Sequence, residues 1–312
     1  MSGSSKVIEN AICTFCGCVC DDIELTVDSG GKHITQAKNA CVLGKAWFLE
    51  HKVEDFPVAL IDGKEASLEE AVDAAAEVFV NAKFPTIYGL SDTTCEAQKQ
   101  AVAIADYLNG NIDTTTSVCH GPTGMAFQGV GESTASLGEI KNRADFVMYW
   151  GGNPAEAHPR HFERYAVNPK SPWMPNGKED RTIAMVDIRP TQSSMIADIF
   201  LQIKPGSDFE LLWAMRALVK GRALDRTVEE RTGISLDRLE ALVQQMKDCQ
   251  FGVLFFGMGL TMTRGRHFNA GALLQLTTDL NDFTHFVSLP TRGHGNVTGA
   301  DNVVSWQTGY PF

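Results

Sequence analysis

The chain has no run of about eighteen apolar residues, no block of basic residues, no internal repeat and no low-complexity tract. The first absence leaves no candidate for a membrane-spanning helix. The second removes the electrostatic footprint of a nucleic-acid binder, because Lys and Arg occur as scattered residues and pairs in a chain of formal charge −11. That acidity is expected to serve solubility. The opening residues, MSGSSKVIEN, hold neither an apolar signal core nor a twin-arginine pair, so the expected compartment is the cytoplasm. With 312 residues, 44% of them hydrophobic, the chain can bury enough core to need no disulfide staples and can form two or three lobes.

What is present is cysteine in an ordered pattern. Cys13, Cys16 and Cys20 form a CxxCxxxC loop, and Cys41 stands alone further on. Three thiolates in eight residues, with a fourth from a later turn, suit the corners of an iron–sulfur cubane. A zinc ribbon and a pair of disulfides are the alternatives; zinc sites favour two CxxC knuckles, and disulfides belong to oxidising compartments. Cys18 lies inside the loop at an odd spacing and reads as a bystander. Gly44-Lys45 follows the fourth cysteine, which puts an ammonium one turn from a cluster ligand, where a cation can raise the cluster's potential. An ordinary solvated lysine is the competing reading.

Residues 1–56 read as a short, irregular cysteine module with one small-sheet strand, Ile23–Val27. Residues 57–312 read as an α/β region of two lobes. A capping box, Ser67 with Glu70, opens a helix that runs through Val80. Strands are then expected at Pro85–Gly89, Asp145–Trp150, Thr182–Ile188, Phe251–Phe256 and Thr284–Leu289. Helices are expected at Cys95–Leu108, Asp208–Lys220, Ser235–Lys247 and Arg264–Leu280, and an exposed loop at Pro169–Asp180. Strands alternating with helices build parallel sheets covered on both faces, with ligands at the carboxyl ends of the strands.

Several strand ends carry residues suited to chemistry. Cys119-His120 precedes a Gly-Pro. There a helix amino end and an imidazolium would depress the thiol pKa, and His120 would be available for proton transfer near neutral pH; a buried structural cysteine is the ordinary alternative. Gly151-Gly152-Asn153-Pro154 lets backbone amides approach a phosphate, and Asp187-Ile188-Arg189 sets an acid and a base where a ribose and a phosphate would lie. Lys204-Pro205-Gly206-Ser207-Asp208 is a tight turn expected to cap the next helix. Gly257-Met258-Gly259 repeats the glycine pattern. Arg292 and His294 sit in a Gly-rich loop that can bring a cation to an anionic substrate.

In this order, CTFCGCVCDDI, SVCHGPTG, WGGNPAEAHPRHFERY, VDIRPTQS, IKPGSD and LPTRGHGNVTGADNVVSWQTGYPF resemble the molybdenum/tungsten bis-pterin oxidoreductases of the formate dehydrogenase superfamily. Within that group they resemble the B subunits of formylmethanofuran dehydrogenase, over nearly the whole chain. The resemblance implies Rossmann-like lobes of the formate dehydrogenase/DMSO reductase type behind a small iron–sulfur module. It implies a [4Fe–4S] cluster on Cys13, Cys16, Cys20 and Cys41, with Lys45 between that cluster and a pterin. It further implies Mo or W bound by Cys119 and by two pterin guanine dinucleotides, with His120 and Arg292 flanking the metal. Gly151, Gly152, Asn153, Asp187, Arg189 and Gly206 would contact the dinucleotides. The implied activity is reduction of CO2 to formate as in methanogenesis from CO2, the formate passing to an amidohydrolase-like partner, the A subunit, for condensation with methanofuran. Further implied partners are a D subunit that carries a pterin lobe, a C subunit, and ferredoxin-type iron–sulfur subunits. A stand-alone formate dehydrogenase and a non-catalytic scaffold are the alternatives. The sequence stops within a motif at Tyr310-Pro311-Phe312, so a C-terminally shortened form of the fold is expected.

Overall fold

A computed structural model of the chain describes residues 4–50 and 57–310. It divides into two compact units, one formed by the described residues up to Thr115 together with those from His294 on, the other by Thr116–Gly293. The expected boundary at residue 56 lies outside the described residues, and the described chain on both sides of it belongs to the first unit.

The first unit opens with a three-stranded antiparallel sheet, β1 (Lys6–Ala11), β2 (Ile23–Val27) and β3 (Ile34–Lys38), in the order β1-β2-β3. The strand read from alternation at Ile23–Val27 is its centre, with Ile23 and Leu25 buried. The cysteine loop is the β1–β2 connection, and α1 (Val42–Glu50) begins directly after Cys41. A small hairpin, β4 (Ala59–Ile61) and β5 (Lys64–Ala66), leads into α2 (Leu68–Asn81). The capping box is formed as expected: Ser67 Oγ accepts from the Glu70 amide, and the Glu70 carboxylate accepts from the Ser67 amide at 2.9 Å. β6 (Thr86–Gly89), α3 (Cys95–Tyr107) and β7 (Asn111–Thr114) then make a parallel pair with a crossover helix. The helix Val297–Thr308 returns to this unit, where Val303 and Val304 pack against Val102 of α3.

The second unit starts with the single turn α4 (Thr116–Cys119), followed by α5 (Gly121–Val130) and α6 (Leu137–Arg143). Its frame is a five-stranded parallel sheet of β8 (Phe146–Trp150), β9 (Thr182–Asp187), β10 (Ile199–Gln202), β11 (Phe251–Phe256) and β12 (His285–Pro290), in the order β10-β9-β8-β11-β12. The short turns α7 (Pro154–Ala157) and α9 (Thr227–Thr232), with α8 (Asp208–Val219), α10 (Leu236–Asp248), α11 (Met258–Thr261) and α12 (His267–Leu280), complete it. The strands read as unbroken apolar runs because both faces are covered. Phe146, Met148 and Trp150 point to one layer with Leu254, Phe256 and the helical residues Leu211, Leu242 and Leu273. Val147 and Tyr149 point to the other, with Ile140, Val167, Val253 and Phe255. The strand order reverses between β8 and β11, the place where doubly wound sheets open a crevice at the carboxyl edge.

Two expectations are corrected. The helix expected from Arg264 starts at His267, because Gly265 (φ +99°) and Arg266 (φ +42°) take left-handed backbone that no helix continues. Ser207 occupies the N-cap position of α8 but does not cap through its side chain; its hydroxyl donates back to the Lys204 carbonyl at 2.7 Å and closes the turn instead. The Pro169–Asp180 loop is largely exposed but tied down. Buried Arg181 donates to the carbonyls of Lys141, Ala144, Val167 and Pro169, four acceptors that replace the water its guanidinium loses.

Gly252, the second residue of β11, has no room for a side chain: a Cβ there would overlap the ring of Phe286, which is fully buried and cannot swing out. Gly252→Ala is expected to cost about 1–3 kcal/mol from overpacking. An unchanged urea midpoint of the full chain would show that the β11–β12 interface yields more than its packing indicates.

Candidate functional site

The cysteine loop is shaped by its main chain. The Cys13 amide donates to the Cys20 carbonyl at 2.8 Å, and the Val19 amide donates to the Cys16 carbonyl at 3.2 Å, with Val19 in a left-handed conformation (φ +42°). These bonds curl eight residues so that Cys13, Cys16, Cys18 and Cys20 are all buried. Gly44 brings the remote cysteine in: a Cβ there would lie 3.1 Å from Cys13 Sγ and 3.8 Å from Cys41 Sγ, and its amide donates to Cys41 Sγ at 3.4 Å. A hydrogen bond to Cys16 pushes the Cys18 thiol well above its ordinary pKa, together with burial and the nearby Cys16, Cys20 and Cys41. The five thiols therefore share one neighbourhood. Among the described residues no group of three or more His, Cys, Asp or Glu is arranged to hold a single metal ion. A cubane asks instead for one thiolate at each of four iron corners, and an all-sulfur donor set wrapped by a tight loop with an amide aimed at one sulfur fits that demand. Lys45 lies in the first turn of α1, exposed, with its amide donating to the Cys41 carbonyl at 2.7 Å.

In the second unit, Cys119 ends the turn α4 and His120 links it to α5. Arg292 comes to them from the loop after β12, and three sets of bonds hold it. The Thr291 amide and hydroxyl donate to the Phe256 carbonyl at 2.9 and 3.0 Å, His158 Nε2–H donates to the Arg292 carbonyl at 2.7 Å, and Arg292 Nη1 donates to Thr116 Oγ1 at 2.6 Å. The guanidinium is thereby fixed beside the turn that carries Cys119. These bonds anchor the loop at Thr291 and Arg292.

The electrostatics also correct the expectation for Cys119-His120. Burial pushes the Cys119 thiol up; the forces that favour its anion are Arg292 and the Gly293 amide, not an imidazolium. His120 is fully buried, its ring edge-on to Phe256, and burial with the Arg292 charge pushes it down to about 4 against a weak opposing pull from the Thr291 carbonyl. At neutral pH it is a neutral imidazole. Nδ1 pairs with Thr123 Oγ1 at 3.2 Å, while Nε2 is buried with no hydrogen-bond partner among the described residues. A half-buried thiol near a fixed cation, beside a buried neutral imidazole, fits a soft metal ligand with an oxyanion subsite next to it.

Glu132, Thr116 and His158 were not legible as members of this site. Glu132 follows α5, lies near Arg292 and accepts from Ser288 Oγ at 3.5 Å; burial pushes its carboxyl up to about 7, with Arg292 and Ser288 opposing. His158 lies inside the GGNPAEAHP stretch, and nothing near it along the chain signals its reach to residue 292.

The expected dinucleotide residues stand at the carboxyl edge of the sheet. Gly151 (φ +58°) is a glycine for packing: a Cβ would lie 2.5 Å from the Leu260 amide nitrogen, and Gly257 and Gly259 are equally tight against Gly151. Gly152 has ordinary space. Asn153 Oδ1 accepts from Ser193 Oγ at 2.6 Å. Asp187 ends β9 and accepts from the Ile188 amide at 2.7 Å, with Arg189 exposed beside it. Gly206 (φ +77°) borders a cavity of about 220 Å³ lined also by Phe209, Glu210, Arg264, Gly265 and Phe268, where two aromatic faces stand beside a cation and a carboxylate.

Among curated proteins, the B subunit of the tungsten-containing formylmethanofuran dehydrogenase 2 of Methanocaldococcus jannaschii is 42% identical over 321 aligned residues, which cover 98% of this chain and 71% of that protein. The chain belongs to the family of formylmethanofuran dehydrogenase B subunits. It is thus an oxidoreductase subunit of the formate dehydrogenase superfamily: formate dehydrogenase H of Escherichia coli is 28% identical over 71% of the chain and 33% of its own length. No protein-family model matches the chain. Among solved structures, acetylene hydratase from Pelobacter acetylenicus superposes with a TM-score of 0.64 at 15% identity, over 88% of this chain and 44% of its own. A chain of the formyltransferase/hydrolase complex FhcABCD from Methylorubrum extorquens superposes at 0.59 with 20% identity, over 78% and 63%. Both likenesses are of fold. No helix among the described residues is long and apolar enough to cross a membrane.

Glu132 gives a measurable pH dependence. The folded chain keeps this proton to about pH 7 and the unfolded chain only to about 4.5, so the native state binds more protons in that window and stability falls as pH rises through it. Glu132→Gln removes the titration, and its stability relative to the parent should rise by roughly 1–3 kcal/mol between about pH 5 and about pH 8 in urea unfolding of the full chain. Parallel pH curves for the two proteins would sink the assignment.

Proposed function

We propose that this chain is the redox subunit of a formylmethanofuran dehydrogenase complex, reducing CO2 to formate. The observation that carries the reading is the fixed juxtaposition of Arg292 with the Cys119-His120 turn, through Thr116, in a member of this family. CO2 takes up two electrons and one proton to become formate. A tungsten or molybdenum centre with two pterin guanine dinucleotides, bound through Cys119, would supply the two-electron exchange. The tungsten of the M. jannaschii relative's name supports a metal of this class without choosing between the two.

The chain's own residues supply the rest. Arg292 orients the carboxylate and stabilises its developing negative charge; its anchors mean little reorganisation is needed as that charge grows. His120, neutral and buried, offers Nε2 to the reacting group as hydrogen-bond partner and proton carrier. Cys13, Cys16, Cys20 and Cys41 would hold a [4Fe–4S] cluster able to supply electrons, and Lys45 would stand between that cluster and a pterin. Gly151, Gly152, Asn153, Asp187, Arg189 and Gly206 bind the dinucleotide arms at the carboxyl edge of the sheet. Residues 1–56 would form the cluster domain and residues 57–312 the pterin-binding region of two lobes.

In this reading the complex is cytoplasmic. An amidohydrolase-like A subunit would join the formate to methanofuran, and a D subunit carrying a pterin lobe, a C subunit and ferredoxin-type iron–sulfur subunits would complete the assembly. The alternative reading is a scaffold without redox chemistry.

Complex purified anaerobically is expected to contain W or Mo and about four irons attributable to this chain. Complex with neither W nor Mo overturns the proposal. Cys119→Ser should abolish CO2 reduction with the complex intact, whereas a scaffold would tolerate it. Arg292→Lys, with metal content retained, should lower the turnover rate on the order of a hundredfold, the cost of losing a preorganised anion donor; unchanged turnover would remove Arg292 from the mechanism. Formate oxidation that persists without the amidohydrolase-like partner would favour a stand-alone formate dehydrogenase.

A further inference from the structure

His158 holds the main chain of Arg292 from 134 positions away, and no step of the proposed reaction uses it. It is 6% exposed. Nε2 carries a proton there, since a carbonyl can only accept, and donates it to the Arg292 carbonyl at 2.7 Å. The donor is itself held. The His158 amide donates to the Pro154 carbonyl at 2.8 Å, the His161 amide donates to the His158 carbonyl at 2.8 Å, and the His158 ring lies edge-on to that of His161, centroids 6.4 Å apart. His161 packs in turn on Phe255 of β11, with ring centroids 4.8 Å apart, so the sheet backs the bond. On the amino side of Arg292, Thr291 is tied to the Phe256 carbonyl; on the carboxyl side, Gly293 has open space where a Cβ would stand. The bond from His158 restrains the peptide group between Arg292 and Gly293, which the packing of the glycine leaves loose.

We infer that His158 is a positioning residue of this site: by holding the Arg292 carbonyl it fixes the direction from which the guanidinium meets the anionic group. This deepens the reading of Arg292 given above and rests on it. CO2 is neutral and gains negative charge only as it becomes formate, so the guanidinium acts on the transition state and on bound formate more than on bound CO2. Loosening its main chain leaves the charge nearby but lets its direction vary. A misplacement of about 1 Å caused by a change away from the reacting atoms can cost on the order of a hundredfold in rate. A bond that served folding alone would leave the turnover of the assembled complex unchanged.

The test uses the complex purified anaerobically, with W or Mo measured in every variant. His158→Ala is expected to retain the metal and to lower the turnover rate for CO2 reduction roughly ten- to a hundredfold with little change in KM for CO2, while the dissociation constant for formate, read by calorimetric titration, rises roughly three- to tenfold. His158→Gln, whose amide N–H reaches about as far, should recover most of both losses. His158→Phe keeps a ring against His161 and removes the donor; it should behave as His158→Ala and replaces it if the alanine variant fails to assemble. Added to Arg292→Ala, His158→Ala should cost less than about a further twofold, because both act through one guanidinium. Turnover and formate affinity unmoved by His158→Phe overturn the inference. Equal losses in the glutamine and phenylalanine variants, a full further loss on top of Arg292→Ala, or loss of the metal from both donor-free variants make the role structural and also overturn it. If Arg292→Ala itself leaves turnover and formate binding unchanged, the reading of Arg292 falls and this inference with it; an impaired Arg292→Ala beside an unaffected His158→Phe defeats this inference alone.

Discussion

The second unit depends on a backbone contact with no room for side chains. At the carboxyl ends of β8 and β11 the Gly257 amide donates to the Trp150 carbonyl at 3.0 Å, and the Gly259 amide donates to the Gly151 carbonyl at 2.9 Å. A Cβ on Gly151, Gly257 or Gly259 would stand 2.5–2.6 Å from main-chain atoms of the facing loop. Two loops are thus locked together where the strand order reverses. From that lock the rest of the edge is placed. Thr291 hangs on the Phe256 carbonyl, Arg292 follows it, and Asn153 accepts from Ser193 on the other side. Any side chain at the lock would push apart the strands that hold the arginine loop and the Gly-Gly-Asn-Pro turn in register. The buried Trp150 indole, bonded to Asp208 at 2.8 Å, ties the same strand end to α8, and burial raises the Asp208 carboxyl above its ordinary range despite that bond.

The two thiol environments differ in how negative charge is met. In the cysteine loop the hydrogen bond to Cys16, burial and the neighbouring thiols oppose ionisation of Cys18, and the Gly44 amide donates to the Cys41 sulfur. At Cys119 burial again opposes the anion, but a fixed guanidinium and the Gly293 amide favour it. The same cation lowers the pKa of His120, so thiolate and imidazolium are not formed together as a mutually stabilising pair. Burial sets the direction of the shift at Cys119, His120 and Glu132, and one positive charge, held by Thr116 and indirectly by His158, acts on all three: with burial at His120, against it at Cys119 and Glu132.

What could be read from the sequence was local. The unbroken apolar runs at Phe146–Trp150 and Phe251–Phe256 are strands buried on both faces, and the Ser67/Glu70 box starts a helix where its spacing places it. The start of α12 was misjudged because Gly265 and Arg266 leave helical backbone despite a favourable pattern around them. The Lys204–Asp208 turn was expected to cap α8; Ser207 takes the N-cap position, but its hydroxyl bonds backward to the Lys204 carbonyl, which periodicity does not encode. The histidine beside Cys119 was expected to titrate near neutrality, and its burial against Phe256 decided otherwise.

By itself the sequence determined the kinds of groups available, the thiols and their spacing, the strand and helix pattern, and the ordered motifs that place the chain in its family, because each depends on residues near one another along the chain. Tertiary structure alone decided which groups meet. Arg292 reaches Thr116 across 176 positions, Ser288 reaches Glu132 across 156, and His158 holds the Arg292 carbonyl across 134. Burial and long-range charge, which set the protonation of Cys119, His120 and Glu132, arise only once those distant segments share one low-dielectric space.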